Sequence, residues 1–189
     1  KKFSPPSKHT KWRNLCSREP LATVMMTLAG KPSGPSTPIF FGAEDAMVRI
    51  NFVNGTHAIS SALYGVLRPG DVLVSAIGAP YDTLQGVIGI TGDGNGSLKE
   101  FGITYRQVDL TPENTPDLPG IAQAVQDPAV KAVLIQRSRG YATRASLSVA
   151  RIGEICQVIR SHNPHVYILV DNCYGEFVET TEPHKSRRT

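Results

Sequence analysis

The sequence has few cysteines and aromatic residues. It has three cysteines, one tryptophan and 7% aromatic residues among 189. Cys16, Cys156 and Cys173 are too few and too scattered for a disulfide framework or a zinc site, which favours a reducing, cytoplasmic setting. The chain also lacks any run of about 18 apolar residues, so we expect no membrane span. With 40% hydrophobic residues it can still bury a core, and its length suits one domain.

Excess positive charge is confined to the start of the chain. Residues 1–45 hold seven Lys/Arg and three acidic residues, whereas the remainder holds thirteen of each. Most of the chain therefore offers no basic surface for nucleic acid. The basic, Ser-rich start leaves organelle targeting open as an alternative to the cytoplasm. Because residues 1–38 are rich in Pro, Ser and Lys and show no steady period, we expect them to be disordered.

From Phe40 onward, short apolar segments alternate with helical ones. We expect extended segments at 49–53, 72–77, 103–110, 130–136 and 166–170. We expect helices at 43–48, 56–67, 81–89, 118–126 and 149–160. This alternation predicts an α/β fold with a mainly parallel sheet and helices on both faces. Ligands of such sheets lie beyond the carboxyl ends of the strands.

Two turns at that edge contain candidate binding residues. Asn54-Gly55-Thr56-His57 joins a strand to a helix, and the free amide groups of a helix start favour a phosphate. A simple N-cap by Asn54 or Thr56 is the alternative. Tyr81 follows the next strand and suits stacking on a flat heterocycle, or packing of its ring beside a turn.

Charged residues follow the last two predicted strands. Arg137-Ser138-Arg139 ends an apolar strand, and a guanidinium group binds carboxylate or phosphate with two N–H groups. A solvated loop with surface ion pairs is the alternative.

Asp171 stands where segment 166–170 ends, and a buried carboxylate is costly unless paired. A protonated pyridine nitrogen is one partner, since holding that proton keeps the ring electron-deficient. A cap on the next turn is the other interpretation.

Six segments resemble the pyridoxal-phosphate family of methionine gamma-lyase-like proteins, often labelled as cystathionine beta-lyases involved in aluminium resistance. They occur in family order over about three-quarters of the chain, and together they are specific. The segments are FGAEDAMVR (41–49), NGTHAISSALYGVLRPGD (54–71), GAPYDTL (78–84), GSLKEFGITY (96–105), IQRSRGY (135–141) and VDNCYGEFVETTEP (170–183).

The resemblance implies a partial aminotransferase-like large domain, of pyridoxal-phosphate fold type I, at residues 39–183. It implies pyridoxal 5'-phosphate as cofactor, with its phosphate held by Gly55 and Thr56. Tyr81 would stack on the ring, and Asp171 would pair with the pyridine nitrogen. Ser138 would line the same site.

The resemblance also implies a substrate and a reaction. Arg137 and Arg139 would bind the substrate, a sulfur amino acid whose carbon–sulfur bond is broken by beta- or gamma-elimination. A full-length member would be a homo-oligomer with no nucleic acid or membrane partner. Two alternatives stay open: a related aminotransferase-fold enzyme acting on another amino acid, and a non-catalytic module that docks on full-length homologues.

Family members carry a Schiff-base lysine roughly 25–30 residues beyond the aspartate, a spacing taken from the resemblance. Here the only later lysine is Lys185, fourteen residues after Asp171, within HKSRRT. We therefore expect no catalytic lysine and no covalent cofactor attachment in this chain. It would be an inactive fragment by itself, with residues 184–189 as an aberrant tail.

Residues 21–38, LATVMMTLAGKPSGPSTP, also depart from the resemblance. Family members have a segment like GYGYDDxGRExL there. Read one base earlier, the codons for Leu21 to Pro32 can encode GYGYDDTGREA. Our hypothesis is that residues 1–38 contain a family segment read out of frame. The coding DNA tests this, and codons incompatible with GYGYDD would end the idea.

Overall fold

The computed structural model describes the backbone of Leu21–Val24, together with Met47 and residues 51–183. Strands and helices alternate in this part of the chain. They are β1 (Leu21–Val24), α1 (Gly55–Val66), β2 (Val72–Ser75), α2 (Asp82–Ile88), β3 (Thr104–Gln107), α3 (Leu118–Ala124), β4 (Val130–Gln136), α4 (Val149–His162) and β5 (Tyr167–Asp171).

The five strands form one sheet in the order β1-β5-β4-β2-β3. Every neighbouring pair is parallel. The predicted α/β fold is therefore confirmed, and β4 has the predicted bounds. The segment predicted as extended at 49–53 forms no strand over its described residues 51–53. The helix predicted at 43–48 lies outside the described residues, except for Met47.

Helices cover both faces of the sheet, because the buried strands alternate their side chains between two apolar layers. Leu73, Leu134 and Leu169 face α1 and α2, where they pack with Ile59 and Leu63 among others. The intervening residues face α3 and α4 and belong to a second core cluster. Its members from β2, β4 and β5 are Val72, Val74, Val130, Val133, Ile135, Ile168 and Val170.

The starts of the two longer helices are capped by side chains, as helix ends require. Asn54 accepts a hydrogen bond from the His57 amide at the start of α1. Ser148 does the same for the Arg151 amide at the start of α4. Helix α4 also places Arg160 in its last turn, where a positive charge interacts favourably with the helix dipole.

Strand β1 falls within residues 1–38, which we expect to be disordered or read out of frame. Its four residues pair with Ile168–Asp171 of β5 at one edge of the sheet. The rest of that segment, like residues 184–189, lies outside the described residues, so the out-of-frame hypothesis stays a prediction. Over the described residues, no helix has the length and apolar character needed to cross a membrane.

Candidate functional site

Two polar side chains stand at the carboxyl ends of adjacent central strands. Gln136 ends β4, Asp171 ends β5, and the two are Cα partners in the parallel pairing. Strand alternation places them on the same face as Leu134 and Leu169, the face covered by α1. The start of α1 and these two side chains therefore lie on one side of the sheet.

The Asp171 side chain is buried, with only 4% of the residue exposed. The Cys173 amide donates a hydrogen bond to Oδ1 at 3.0 Å. Within the described residues, Oδ2 accepts no hydrogen bond. Burial raises the pKa of this carboxyl group, and the bond from Cys173 only partly opposes the shift. A carboxylate so placed is stabilised by a cationic or N–H partner at Oδ2.

Several polar groups meet at the start of α1. The Asn54 side chain caps the helix through the His57 amide at 2.8 Å, which confirms the N-cap alternative for Asn54. The Thr56 hydroxyl is not the cap: it lies 3.1 Å from the Tyr81 hydroxyl and 2.9 Å from the Thr83 hydroxyl. In the described part of the chain, the Gly55 and Thr56 amides make no hydrogen bond. They remain available to an anion.

Tyr81 connects this helix start to the strand ends. Its hydroxyl contacts Thr56, while its amide donates to Gln136 Oε1 at 2.9 Å. Burial raises the pKa of the Tyr81 phenol, and the nearby charge of Asp171 raises it further. Thr56, Tyr81, Gln136 and Asp171 thus form one group, which we name the carboxyl-edge cluster.

Ser138 and Arg139 follow β4 in a loop beside this cluster. The Ser138 carbonyl oxygen accepts hydrogen bonds from Gln136 Nε2 at 3.1 Å and from Arg144 Nη2 at 2.5 Å. Arg139 is exposed, and its side chain makes no hydrogen bond or ion pair within the described residues. Ser138 is therefore brought to the cluster, whereas the guanidinium group of Arg139 is left in solvent.

Arg137 is not part of the cluster, because its side chain turns towards the start of α4. It is 4% exposed and donates from Nε to the Leu147 carbonyl at 3.2 Å. Nη1 donates to Asn172 Oδ1 and to the Gly175 carbonyl, each at 2.7 Å. Nη2 forms an ion pair with Glu179 at 2.7 Å. These contacts assign Arg137 to the internal structure of the loop after β5 and leave it poorly placed for a substrate.

Three polar residues that the sequence interpretation left out support the cluster. Thr83 contacts Thr56, Gln136 joins Tyr81 to Ser138, and Arg144 is buried with no carboxylate partner among the described residues. Burial lowers the pKa of the Arg144 guanidinium group, which donates to the carbonyl oxygens of Gln136, Ser138 and Ala145. The sequence position of Gln136, the last residue of an apolar strand, was the one available signal.

Other features do not add a reactive group. Burial raises the pKa of the Cys173 thiol, and the charges of Asp171 and Glu176 raise it further, so thiolate is disfavoured. Over the residues the structure describes, no group of three His, Cys, Asp or Glu side chains is placed to hold a metal ion. An open depression of about 420 Å³ beside β3 and α3 includes none of the predicted site residues.

The sequence model of the methionine gamma-lyase family matches residues 38–186. The chain belongs to the methionine gamma-lyase family. This confirms the resemblance, and the segment carrying the carboxyl-edge cluster lies entirely within the match. The described fold is accordingly part of the aminotransferase-like large domain of fold type I, in a family of amino-acid-processing lyases.

Several relatives share this part of the family. The uncharacterized protein YnbB of Bacillus subtilis is 49% identical over 144 residues, which are 76% of this chain and 34% of YnbB. A carbon–sulfur lyase involved in aluminium resistance from Clostridium novyi is 45% identical, with a TM-score of 0.74 over 79% of this chain and 36% of that chain. A proposed cystathionine beta-lyase involved in aluminium resistance from Listeria monocytogenes is 46% identical, with a TM-score of 0.76 over 79% and 38%. The chain spans about a third of the length of YnbB.

Proposed function

We propose that this chain supplies the cofactor-binding part of a pyridoxal-phosphate-dependent carbon–sulfur lyase that acts on sulfur amino acids. One observation carries the proposal: the Tyr81 hydroxyl contacts Thr56 at the start of α1, and the Tyr81 amide bonds to Gln136, the Cα partner of Asp171. An anion-binding helix start and a buried carboxylate therefore flank one aromatic ring. That set of groups matches a flat, phosphorylated pyridine.

The described residues fit this cofactor on two counts. Asp171 is a buried carboxylate with one oxygen lacking a hydrogen-bond donor in the described residues, and a pyridine N–H would supply that donor. The Gly55 and Thr56 amides and the Thr56 hydroxyl are the donors that a phosphate prefers at a helix start. Each end of the cofactor thus has a complementary group on the same face of the sheet.

When bound, the cofactor supplies an electron-deficient ring that stabilises negative charge at the substrate α-carbon, which permits elimination at the β- or γ-carbon. The chain's own residues bind and orient. Asp171 holds a proton on the pyridine nitrogen, because its buried negative charge favours a positive partner. Thr56 and Gly55 hold the phosphate, Tyr81 provides a flat contact, and Ser138 lies along the same edge.

Covalent attachment is not part of the proposal for residues 1–189. Lys99 and Lys131 are the lysines of the described part of the chain. Lys99 is exposed beyond α2. Lys131 stands at the amino end of β4, where its ammonium group lies 5.6 Å from the centre of the Tyr167 ring. We propose non-covalent binding in this chain, and a homo-oligomer for the complete lyase.

Equilibrium dialysis of the 189-residue chain against pyridoxal 5'-phosphate tests the proposal. Asp171→Asn removes a charge-assisted hydrogen bond worth about 1.5–3 kcal/mol, so affinity should fall at least tenfold. Asp93→Asn, at an exposed aspartate of the loop after α2, is the matched control and should leave affinity unchanged. Equal binding by the chain and both variants, or no binding by any, would reject the proposed function.

A second candidate function is docking on a longer homologue without catalysis. It is favoured by four exposed apolar side chains in the loops after β4 and β5: Tyr141, Tyr174, Phe177 and Val178 are 96%, 83%, 69% and 68% exposed. Surfaces of this kind often bind another protein. Co-purification with a full-length family member that is lost in Phe177→Ser would support docking. A monodisperse chain that does not bind the homologue would exclude it.

A further inference from the structure

Within the carboxyl-edge cluster, Gln136 lies between Tyr81 and Asp171. Strand β4 separates β5 from β2 in the sheet, so Gln136 has Asp171 as its Cα partner on one side. On the other side its Oε1 accepts a hydrogen bond from the amide of Tyr81, 55 residues earlier, at 2.9 Å. Only 7% of the residue is exposed. Its amide group is therefore an internal connection rather than a surface polar group.

Both ends of that amide group are engaged. While Oε1 accepts from Tyr81, Nε2 donates to the Ser138 carbonyl oxygen at 3.1 Å. A backbone N–H can only donate and a carbonyl oxygen can only accept, so a rotated amide would lose both bonds. A buried polar group left without a partner costs about 1–3 kcal/mol. The amide of Gln136 is thus held in one orientation, and it holds Tyr81 and Ser138 in return.

Gln85 and Gly140 lie beside the two turns that Gln136 connects, the turn before Tyr81 and the loop after β4. Gln85 Nε2 donates to the Pro80 carbonyl at 2.7 Å, which fixes the turn before Tyr81 from the side of α2. In the loop after β4, Gly140 has a positive φ of 56°, and a Cβ there would lie 3.3 Å from Gln136 Nε2. Gln85 therefore restrains the turn before Tyr81, and the lack of a side chain at Gly140 lets the loop after β4 pass close to Gln136.

We propose that Gln136 is a positioning residue that fixes Tyr81 and Ser138 relative to Asp171, and so sets the spacing between the ring contact and the carboxylate. Parallel strands lie about 4.8 Å apart, so the ends of β2 and β5 are separated by about 10 Å. The Gln136 side chain spans part of that interval. The identity of the ligand rests on the proposed function, whereas the positioning of Tyr81 does not.

The first test compares Gln136→Met with Gln123→Met in the 189-residue chain. Methionine has a similar length without hydrogen-bonding groups, and Gln123 is exposed on α3. In Gln136→Met, hydrogen exchange at the Tyr81 amide should accelerate at least about tenfold, the equivalent of 1.4 kcal/mol, while the Leu134 amide in β4 stays protected. Affinity for pyridoxal 5'-phosphate should fall about threefold to tenfold. Gln123→Met should behave as the unchanged chain.

The second variant, Gln136→Glu, separates the two contacts. Its carboxylate keeps an acceptor for the Tyr81 amide but presents an oxygen to the Ser138 carbonyl. Tyr81 should therefore stay protected, whereas the Ala142 amide, bonded to the Arg139 carbonyl within the loop, should exchange faster. The positioning role would be overturned if exchange at the Tyr81 amide were unchanged in Gln136→Met. It would also be overturned if both variants lost protection of the Tyr81 amide to the same extent. Failure of the unchanged chain to bind the cofactor would reject the proposed function, and the exchange data would still decide the role of Gln136.

Discussion

The hydroxyl group of Thr56 lies 3.1 Å from that of Tyr81, across 25 residues of chain. One hydrogen bond contributes about 0.5–1.5 kcal/mol, so Tyr81→Phe should weaken pyridoxal 5'-phosphate binding by about twofold to tenfold. Thr56→Val also removes a proposed phosphate ligand and should weaken it further. Titration with pyridoxal, which lacks the phosphate, provides the control. Thr56→Val should barely alter pyridoxal affinity, and an equal loss for both compounds would remove Thr56 from the phosphate site.

The buried carboxyl group of Asp171 should make the cofactor-free chain less stable as the pH rises. Burial raises its folded-state pKa, so the folded chain binds more protons than the unfolded chain between the ordinary and the raised pKa. Stability is then full below the ordinary value and is lost as the pH rises through the raised one. Asp171→Asn should abolish this loss and be the more stable protein at neutral pH, measured by urea unfolding.

Asp127→Asn is the control of opposite sign. The Ala129 amide, and then Arg106, lower the pKa of the Asp127 carboxyl group. Its stabilising effect is present above the ordinary pKa of aspartate and is lost as the pH falls through the lowered value. Asp127→Asn should therefore be slightly destabilising at neutral pH and neutral in acid. Parallel pH curves for the two variants would contradict the burial of Asp171.

The contacts of Arg137 predict a structural role. Arg137→Met removes the partner of Glu179 and the hydrogen bonds to Asn172 and Gly175, so it should lower the free energy of unfolding by about 3 kcal/mol. Arg151→Met breaks an exposed ion pair with Glu154 on α4 and should cost no more than about 0.5 kcal/mol. Chemical denaturation measures both. Normal stability in Arg137→Met would return Arg137 to consideration as a substrate ligand.

Two glycines should respond to alanine in opposite ways. A Cβ at Gly175 would lie 2.5 Å from Arg137 Cδ and 2.6 Å from Asn172 Oδ1, so Gly175→Ala should destabilise the chain by about 1–3 kcal/mol. Gly65 is inside α1 and has no atom within 4 Å of a built Cβ. Gly65→Ala should stabilise the helix by up to about 1 kcal/mol. Thermal unfolding of the pair checks both signs, and a tolerated alanine at Gly175 would show that the Arg137 packing is loose.

Local sequence patterns were sufficient to predict the strands and helices between residues 55 and 171, because the periodic spacing of apolar residues extends over several residues in each element. The strand at Val130–Gln136 was predicted to the residue, and α1 was shifted by one residue. Strand β1 was not predicted, since the four residues Leu21–Val24 are too few to show a period in a Pro- and Ser-rich segment. Its position at the edge of β5 depends on a long-range pairing.

The predicted site was only partly assembled in the expected way. Asp171, Tyr81 and Thr56 were singled out from their places at strand ends and a helix start, and the fold brings them together. Arg137 and Arg139 looked equivalent in sequence, yet the first is buried in an ion pair and the second is exposed. Their difference depends on the path of the loop after β4 ends and on Glu179, more than forty residues away, which pairs with Arg137.

Strand alternation makes the segment before Asp171 intolerant of changes in length. Inserting or deleting one residue within Tyr167–Val170 would rotate the carboxylate through half a turn, onto the face packed by α4, while its sequence neighbours stayed the same. The exposed residues 112–115, in the loop between β3 and α3, are under no such constraint on length. Lineages of this protein should therefore accumulate indels there and none inside β5, however freely the amino acids themselves are exchanged.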